Sequence, residues 1–115
     1  MGNLIRECNV DVPEIDVDEL ERRLAAGATL VDVREPDEYD QVRVPGGILV
    51  PLQSVPERLD DVPTEGTFFV ICAKGGRSMA AAEFLRTEGR DAVNVAGGTT
   101  AWVDAGLPTE SGSPA

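Results

Sequence analysis

Apolar positions along this chain fall into short continuous runs, separated by stretches in which they recur at helical spacing. Four runs read as strands, at residues 29–33, 48–50, 67–71 and 92–95. The clearest is Thr67-Phe68-Phe69-Val70-Ile71, β-branched and aromatic and apolar after its first residue, as a strand covered on both faces should be. Asp16 and Glu19 have capping-box spacing, with Asp in place of the usual Ser or Thr. Leu20, Leu24, Ala25 and Ala26 then continue a helix that Gly27 ends. Pro36 suits the first turn of a short acidic helix through Asp37, Glu38 and Tyr39. Pro45-Gly46-Gly47 reads as a turn, and residues 55–59 as a helical turn with Pro56 placed early. Residues 78–87 carry Met79, Ala82, Leu85 and Arg86 at roughly helical spacing, with Gly89 as the stop. Gly97-Gly98 lead into a last helix at 101–105.

Alternation of this kind predicts an α/β domain: a parallel sheet with helices on both faces. In such sheets ligands sit beyond the carboxyl ends of the strands. Cys72 lies at one such end, and Asp32 and Arg34 lie at another, where they are candidates for the same rim.

At 115 residues, 42% of them hydrophobic, the chain suits one domain with one core. Residues 1–11 read as an N-terminal extension, 12–109 as the domain and 110–115 as a tail that frays. No apolar stretch approaches a membrane span, and the first ten residues lack the apolar middle of a signal peptide. The expectation is a soluble cytoplasmic protein, a monomer or weak dimer. The net charge of −11 argues against nucleic-acid and anionic-membrane partners, which need clustered cations. It reads first as a solvated acidic surface. There is no histidine, and the two cysteines are Cys8 and Cys72. Cys/His zinc sites and Ser-His-Asp or Cys-His catalysis are thereby excluded, and no metal or cofactor is expected. A cytosolic setting disfavours a Cys8–Cys72 bridge, which leaves Cys8 a spare thiol.

The remaining chemistry is in Cys72-Ala73-Lys74-Gly75-Gly76-Arg77-Ser78. A thiol is nucleophilic as thiolate, and a helix N-terminus with cationic neighbours lowers its pKa from about 8.5 to roughly 3.5–7.5. Gly75 and Gly76 let the backbone turn sharply and aim successive N–H groups inward. The helix beginning near Ser78 adds its positive end, and Lys74 and Arg77 add full charges. The plain alternative is a buried structural cysteine at a sheet-to-helix turn.

The loop resembles the active-site loop of single-domain rhodanese proteins. Two further segments are similar to the same family. One is Val31-Asp32-Val33-Arg34-Glu35-Pro36-Asp37-Glu38-Tyr39 with Val44-Pro45-Gly46-Gly47 and residues 48–52. The other is Gly97-Gly98-Thr99-Thr100-Ala101-Trp102 with Ala105-Gly106-Leu107-Pro108. The likeness spans about residues 12–109, in order. It implies a rhodanese-like three-layer fold with a mainly parallel sheet of four to five strands. It also implies sulfurtransferase activity: the loop cysteine takes sulfur from a small anionic sulfane donor such as thiosulfate. The resulting persulfide then passes its outer sulfur to cyanide, a thiol or a protein acceptor. By the same resemblance Cys72 is the nucleophile and residues 73–78 stabilise the persulfide through backbone N–H groups. Lys74 and Arg77 are candidates for binding the donor. No histidine is needed, because attack on thiosulfate expels sulfite, a weakly basic leaving group.

The family's first signature usually has histidine where this chain has Arg43, a change expected to bear on local packing. For Asp32 and Arg34 the plain expectation is an ion pair tying strand ends together, preferred for Asp32, while Arg34 serves either structure or substrate; Trp102 and Tyr39 are expected to be core or rim aromatics. Phosphatase and arsenate-reductase chemistry also uses a cysteine in a cradle closed by arginine, but with one more residue between them. Here Ala73, Lys74, Gly75 and Gly76 make four. A persulfide carrier and a non-catalytic docking module are further alternatives, the latter often without the cysteine.

Overall fold

The structure, a computed structural model, describes residues 11–112. Five strands form one sheet: β1 (Glu14–Ile15), β2 (Leu30–Asp32), β3 (Ile48–Leu49), β4 (Thr67–Ile71) and β5 (Asp91–Val95). Their order is β1-β5-β4-β2-β3, and every pairing is parallel. The helices are α1 (Val17–Ala25), α2 (Pro36–Gln41), α3 (Gly76–Thr87) and α4 (Gly98–Asp104), with a 3-10 helix at Leu52–Asp61.

Side chains of successive strand residues point to opposite faces, and the core divides accordingly. Phe68, Val70 and Cys72 join Val31, Val33 and Ala92 against Ala81, Ala82 and Leu85 of α3 and Val55 of the 3-10 helix. Phe69 and Ile71 join Leu30, Val93 and Val95 against Val17 and Leu20 of α1 and Trp102 of α4. The result is a three-layer α/β fold with β4 at its centre. Phe68 and Phe69 are fully enclosed, one on each face, and truncating either to Ala costs about 3–5 kcal/mol.

The strand expected at 67–71 is β4, with the same bounds. β1 was not expected. Its two residues carry no strand pattern of their own, and pairing with Asn94 and Val95 makes it a strand. Half of the anticipated capping box forms: Asp16 Oδ1 accepts from the Glu19 amide at 2.9 Å. The Glu19 carboxylate goes instead to Arg22 and Arg23. A complete box occurs one helix later, between Glu35 and Glu38 at the start of α2. α3 begins at Gly76, two residues before the expected start, and the segment around Pro56 is a longer 3-10 helix kinked at Arg58.

Arg43, at the position of the family's usual histidine, is buried. Its guanidinium lies 4.6 Å from the Tyr39 ring centroid and donates to the carbonyls of Tyr39 (3.0 Å) and Gly112 (2.8 Å). Its backbone exchanges hydrogen bonds with Glu110. The first residues of the tail, expected to fray, are thus tied back to the domain. Most of the N-terminal extension, with Cys8, and residues 113–115 lie outside the described residues.

Candidate active site

Parallel β2, β4 and β5 bring their carboxyl ends to one side of the sheet. There β4 runs into Cys72, and α3 starts at Gly76. Between them Gly75 takes φ +110°, a conformation open to glycine. That turn directs the Gly75 amide back to the Cys72 sulfur, N to Sγ 3.1 Å. Gly98, with φ +60°, lies against the same loop, and a Cβ there would collide with the carbonyl oxygens of Cys72 and Ala73. The contact lets the Thr99 amide (2.9 Å) and hydroxyl (3.1 Å) both donate to the Cys72 carbonyl, while the Thr100 amide donates to that of Ala73 (2.9 Å). The start of α4 therefore clamps the loop from behind.

Ser78 is fully buried, its hydroxyl 3.3 Å from Cys72 Sγ and 2.5 Å from Asn94 Oδ1. One proton cannot serve both partners. The Asn94 amide is oriented by two acceptors, Glu14 Oε2 at 2.8 Å and the Gly75 carbonyl at 3.3 Å, so its oxygen faces Ser78. With Cys72 as thiol, S–H donates to Ser78 and Ser78 to Asn94. With Cys72 as thiolate, Ser78 turns its proton to sulfur. Burial pushes the thiol pKa up, but the Ser78 hydroxyl and the amides of Ser78, Gly75 and Lys74 outweigh it, leaving the pKa below the ordinary value. Only 1% of Cys72 is exposed, so a reagent meets its sulfur at the floor of the loop.

The two cations of the loop are placed differently. Arg77 forms a two-pronged ion pair with Glu38 of α2, at 2.8 and 2.9 Å. Those bonds hold the Glu38 carboxyl down to about 2 against the opposing effect of burial, and they raise Arg77. The Lys74 side chain is exposed and makes neither an ion pair nor a hydrogen bond among the described residues.

Asp32 and Arg34 are buried and paired at 2.9 Å. Arg34 also donates to the carbonyls of Glu38 (3.3 Å) and Val42 (2.8 Å), fixing α2 to the end of β2. Losing one partner of such a pair costs about 3–5 kcal/mol. Arg34 also borders a cleft of about 260 Å³ with Val42, Thr99, Thr100, Val103 and Asp104, to which the loop contributes Ala73 and not Cys72. Tyr39 and Trp102 are buried, their polar tips donating to the carbonyls of Gly47 (2.8 Å) and Pro108 (2.7 Å).

Asn94, Glu14 and Thr99 were absent from the candidate residues. Asn94 had a signal, a lone amide in the apolar run 92–95. Among the described residues no group of three His, Cys, Asp or Glu is placed to hold a metal, and no helix is long and apolar enough to cross a membrane.

The family model that matches is the rhodanese-like domain, over residues 16–105. A sulfurtransferase of Allochromatium vinosum is 36% identical over 100 residues, which are 84% of this chain and 94% of that protein. The crystal structure of a rhodanese-related protein from Thermoplasma volcanium superposes with a TM-score of 0.80 at 34% identity, covering 85% of this chain and 97% of that one. That of a thiosulfate sulfurtransferase from Pseudomonas aeruginosa gives 0.79 at 29% identity, covering 89% of this chain but 21% of the other.

Proposed function

The chain belongs to the rhodanese-like domain family, and from that premise we propose that it is a sulfurtransferase working through a persulfide on Cys72. The observation that carries this reading is the pairing of the Cys72 sulfur with the Gly75 amide and the Ser78 hydroxyl. These donors favour the thiolate over the thiol. The thiolate attacks the outer sulfur of thiosulfate, the Sγ–S bond forms, the S–S bond of the donor breaks, and its electron pair leaves with sulfite. The outer sulfur of Cys72–S–S⁻ then goes to cyanide or a thiolate, and the Cys72 thiolate returns. Neither half requires a proton to be moved, which suits a chain without histidine.

Ala73, Lys74, Gly75, Gly76, Arg77 and Ser78 form the wall around that sulfur, with their backbone amides stabilising the persulfide. Lys74, unpaired and exposed, is the first contact for an anionic donor. Asp32 and Arg34 hold the rim in shape. The loop, with four residues between Cys72 and Arg77, suits one sulfur better than a tetrahedral phosphate.

The test is formation of thiocyanate from thiosulfate and cyanide by the full chain and its Cys72→Ser variant. Activity in the native chain, lost to background in a variant with an unchanged circular dichroism spectrum, is expected. Equal rates in both would refute the assignment. A native chain that gains one sulfur atom on Cys72 yet yields no thiocyanate would instead be a persulfide carrier with a protein acceptor.

A further inference from the structure

We propose that Glu38 is a charge-selectivity residue of this site: by neutralising Arg77 it biases the loop against dianionic donors and toward sulfane donors of lower charge, such as alkyl persulfides. The inference rests on the sulfurtransferase reading above and concerns the class of donor.

The loop carries Lys74 and Arg77, and two free cations there would favour thiosulfate, a dianion. Arg77 is not free. Both of its terminal nitrogens are spent on the two oxygens of Glu38, at 2.8 and 2.9 Å. Glu38 is itself held in place. Its Oε1 accepts the Glu35 amide at 2.9 Å, its carbonyl accepts from Arg34, and Arg34 is locked to Asp32. The carboxylate is therefore a fixed internal anion against the Arg77 guanidinium, at the end of the loop. Lys74, Arg77 and Glu38 sum to one positive charge.

The rest of the protein sharpens the effect. Among the described residues, the arginines at 22, 23, 34, 43, 58, 77 and 86 all pair with carboxylates. Arg90 bonds to carbonyls of Leu59 and Val62. Among the described residues Lys74 alone is left for an incoming anion, on a chain of net charge −11. A second negative charge on the donor meets repulsion with no second cation to offset it.

An alkyl persulfide avoids that cost. The Cys72 thiolate attacks the terminal sulfur of R–S–SH, the Sγ–S bond forms, the donor S–S bond breaks, and its electron pair leaves as R–S⁻. Donor, leaving group and product persulfide never place two charges on one small ion.

Glu38→Gln separates the charge from the fold, since Gln is equally suited to the capping-box position and still accepts from Glu35. The full chain and this variant are compared on thiosulfate and on 2-hydroxyethyl persulfide, over a range of salt concentrations. We expect the KM for thiosulfate to fall about fivefold in Glu38→Gln and to become more salt-dependent, with the KM for the persulfide moving less than about twofold. The gain should disappear in Glu38→Gln/Arg77→Gln, because the released guanidinium is its source. An unchanged KM for thiosulfate, or equal shifts for both donors, overturns the proposal while leaving sulfur transfer intact. Failure of both donors to load Cys72 in the native chain removes the sulfurtransferase reading and this inference with it.

Discussion

The amide of Gly75 donates across 3.1 Å to the sulfur of Cys72, three residues earlier in the chain. The bond exists because Gly75 sits at φ +110°, caps α3 without a side chain and faces the start of α4. Sheet, helix start and thiol are thus linked through one residue that has to be glycine.

Gly75→Ala tests that link. A Cβ at this φ is strained, and it would sit 3.4 Å from the Gly97 nitrogen and 3.6 Å from the Val95 carbonyl oxygen. The expected cost is about 1–2 kcal/mol of stability, read from urea denaturation. The amide also swings away from sulfur, so sulfur loading slows by more than the stability loss accounts for. A variant as stable and as fast as the native chain would show that the turn does not direct the amide.

Lys74→Ala addresses donor capture. With Arg77 held by Glu38, Lys74 is the cation of the loop left to meet an anion, and it is exposed. An exposed charge contributes a fraction of a kcal/mol, so KM for thiosulfate should rise about two- to fivefold, and more than kcat falls. Steady-state thiocyanate formation at low salt measures both. An unaltered KM would remove Lys74 from the donor site.

Much of this architecture was legible in the chain because local pattern and burial agree. The run at 67–71 is apolar on both faces and became the central strand with its expected bounds. β1 could not be read from Glu14 and Ile15, since a parallel neighbour some eighty positions away makes it a strand. The early start of α3 was hidden because Gly76 is a weak helix signal.

The cysteine loop was identifiable from its glycines and cations, but the partners of those cations were not. Glu38 lies 39 residues before Arg77, and nothing in the spacing shows that α2 would bring the two together. Asp32 and Arg34 pair as strand-end neighbours can, two residues apart. Ser78 was expected to act through its backbone. The fold adds its hydroxyl, which α3 places between the Cys72 sulfur and Asn94 of the adjacent strand β5.

The central claim is that the loop donors lower the pKa of Cys72 below that of a free cysteine and so favour its thiolate. The direct measurement is the rate of Cys72 alkylation by iodoacetamide as a function of pH, in the native chain and in Ser78→Ala. Because the folded site lowers the thiol pKa, the rate should reach half its maximum below the free-cysteine value of about 8.5. Removing the Ser78 hydroxyl takes away a donor to sulfur, so the midpoint of Ser78→Ala should move upward. A native midpoint at or above about 8.5, unmoved by Ser78→Ala, would contradict the account.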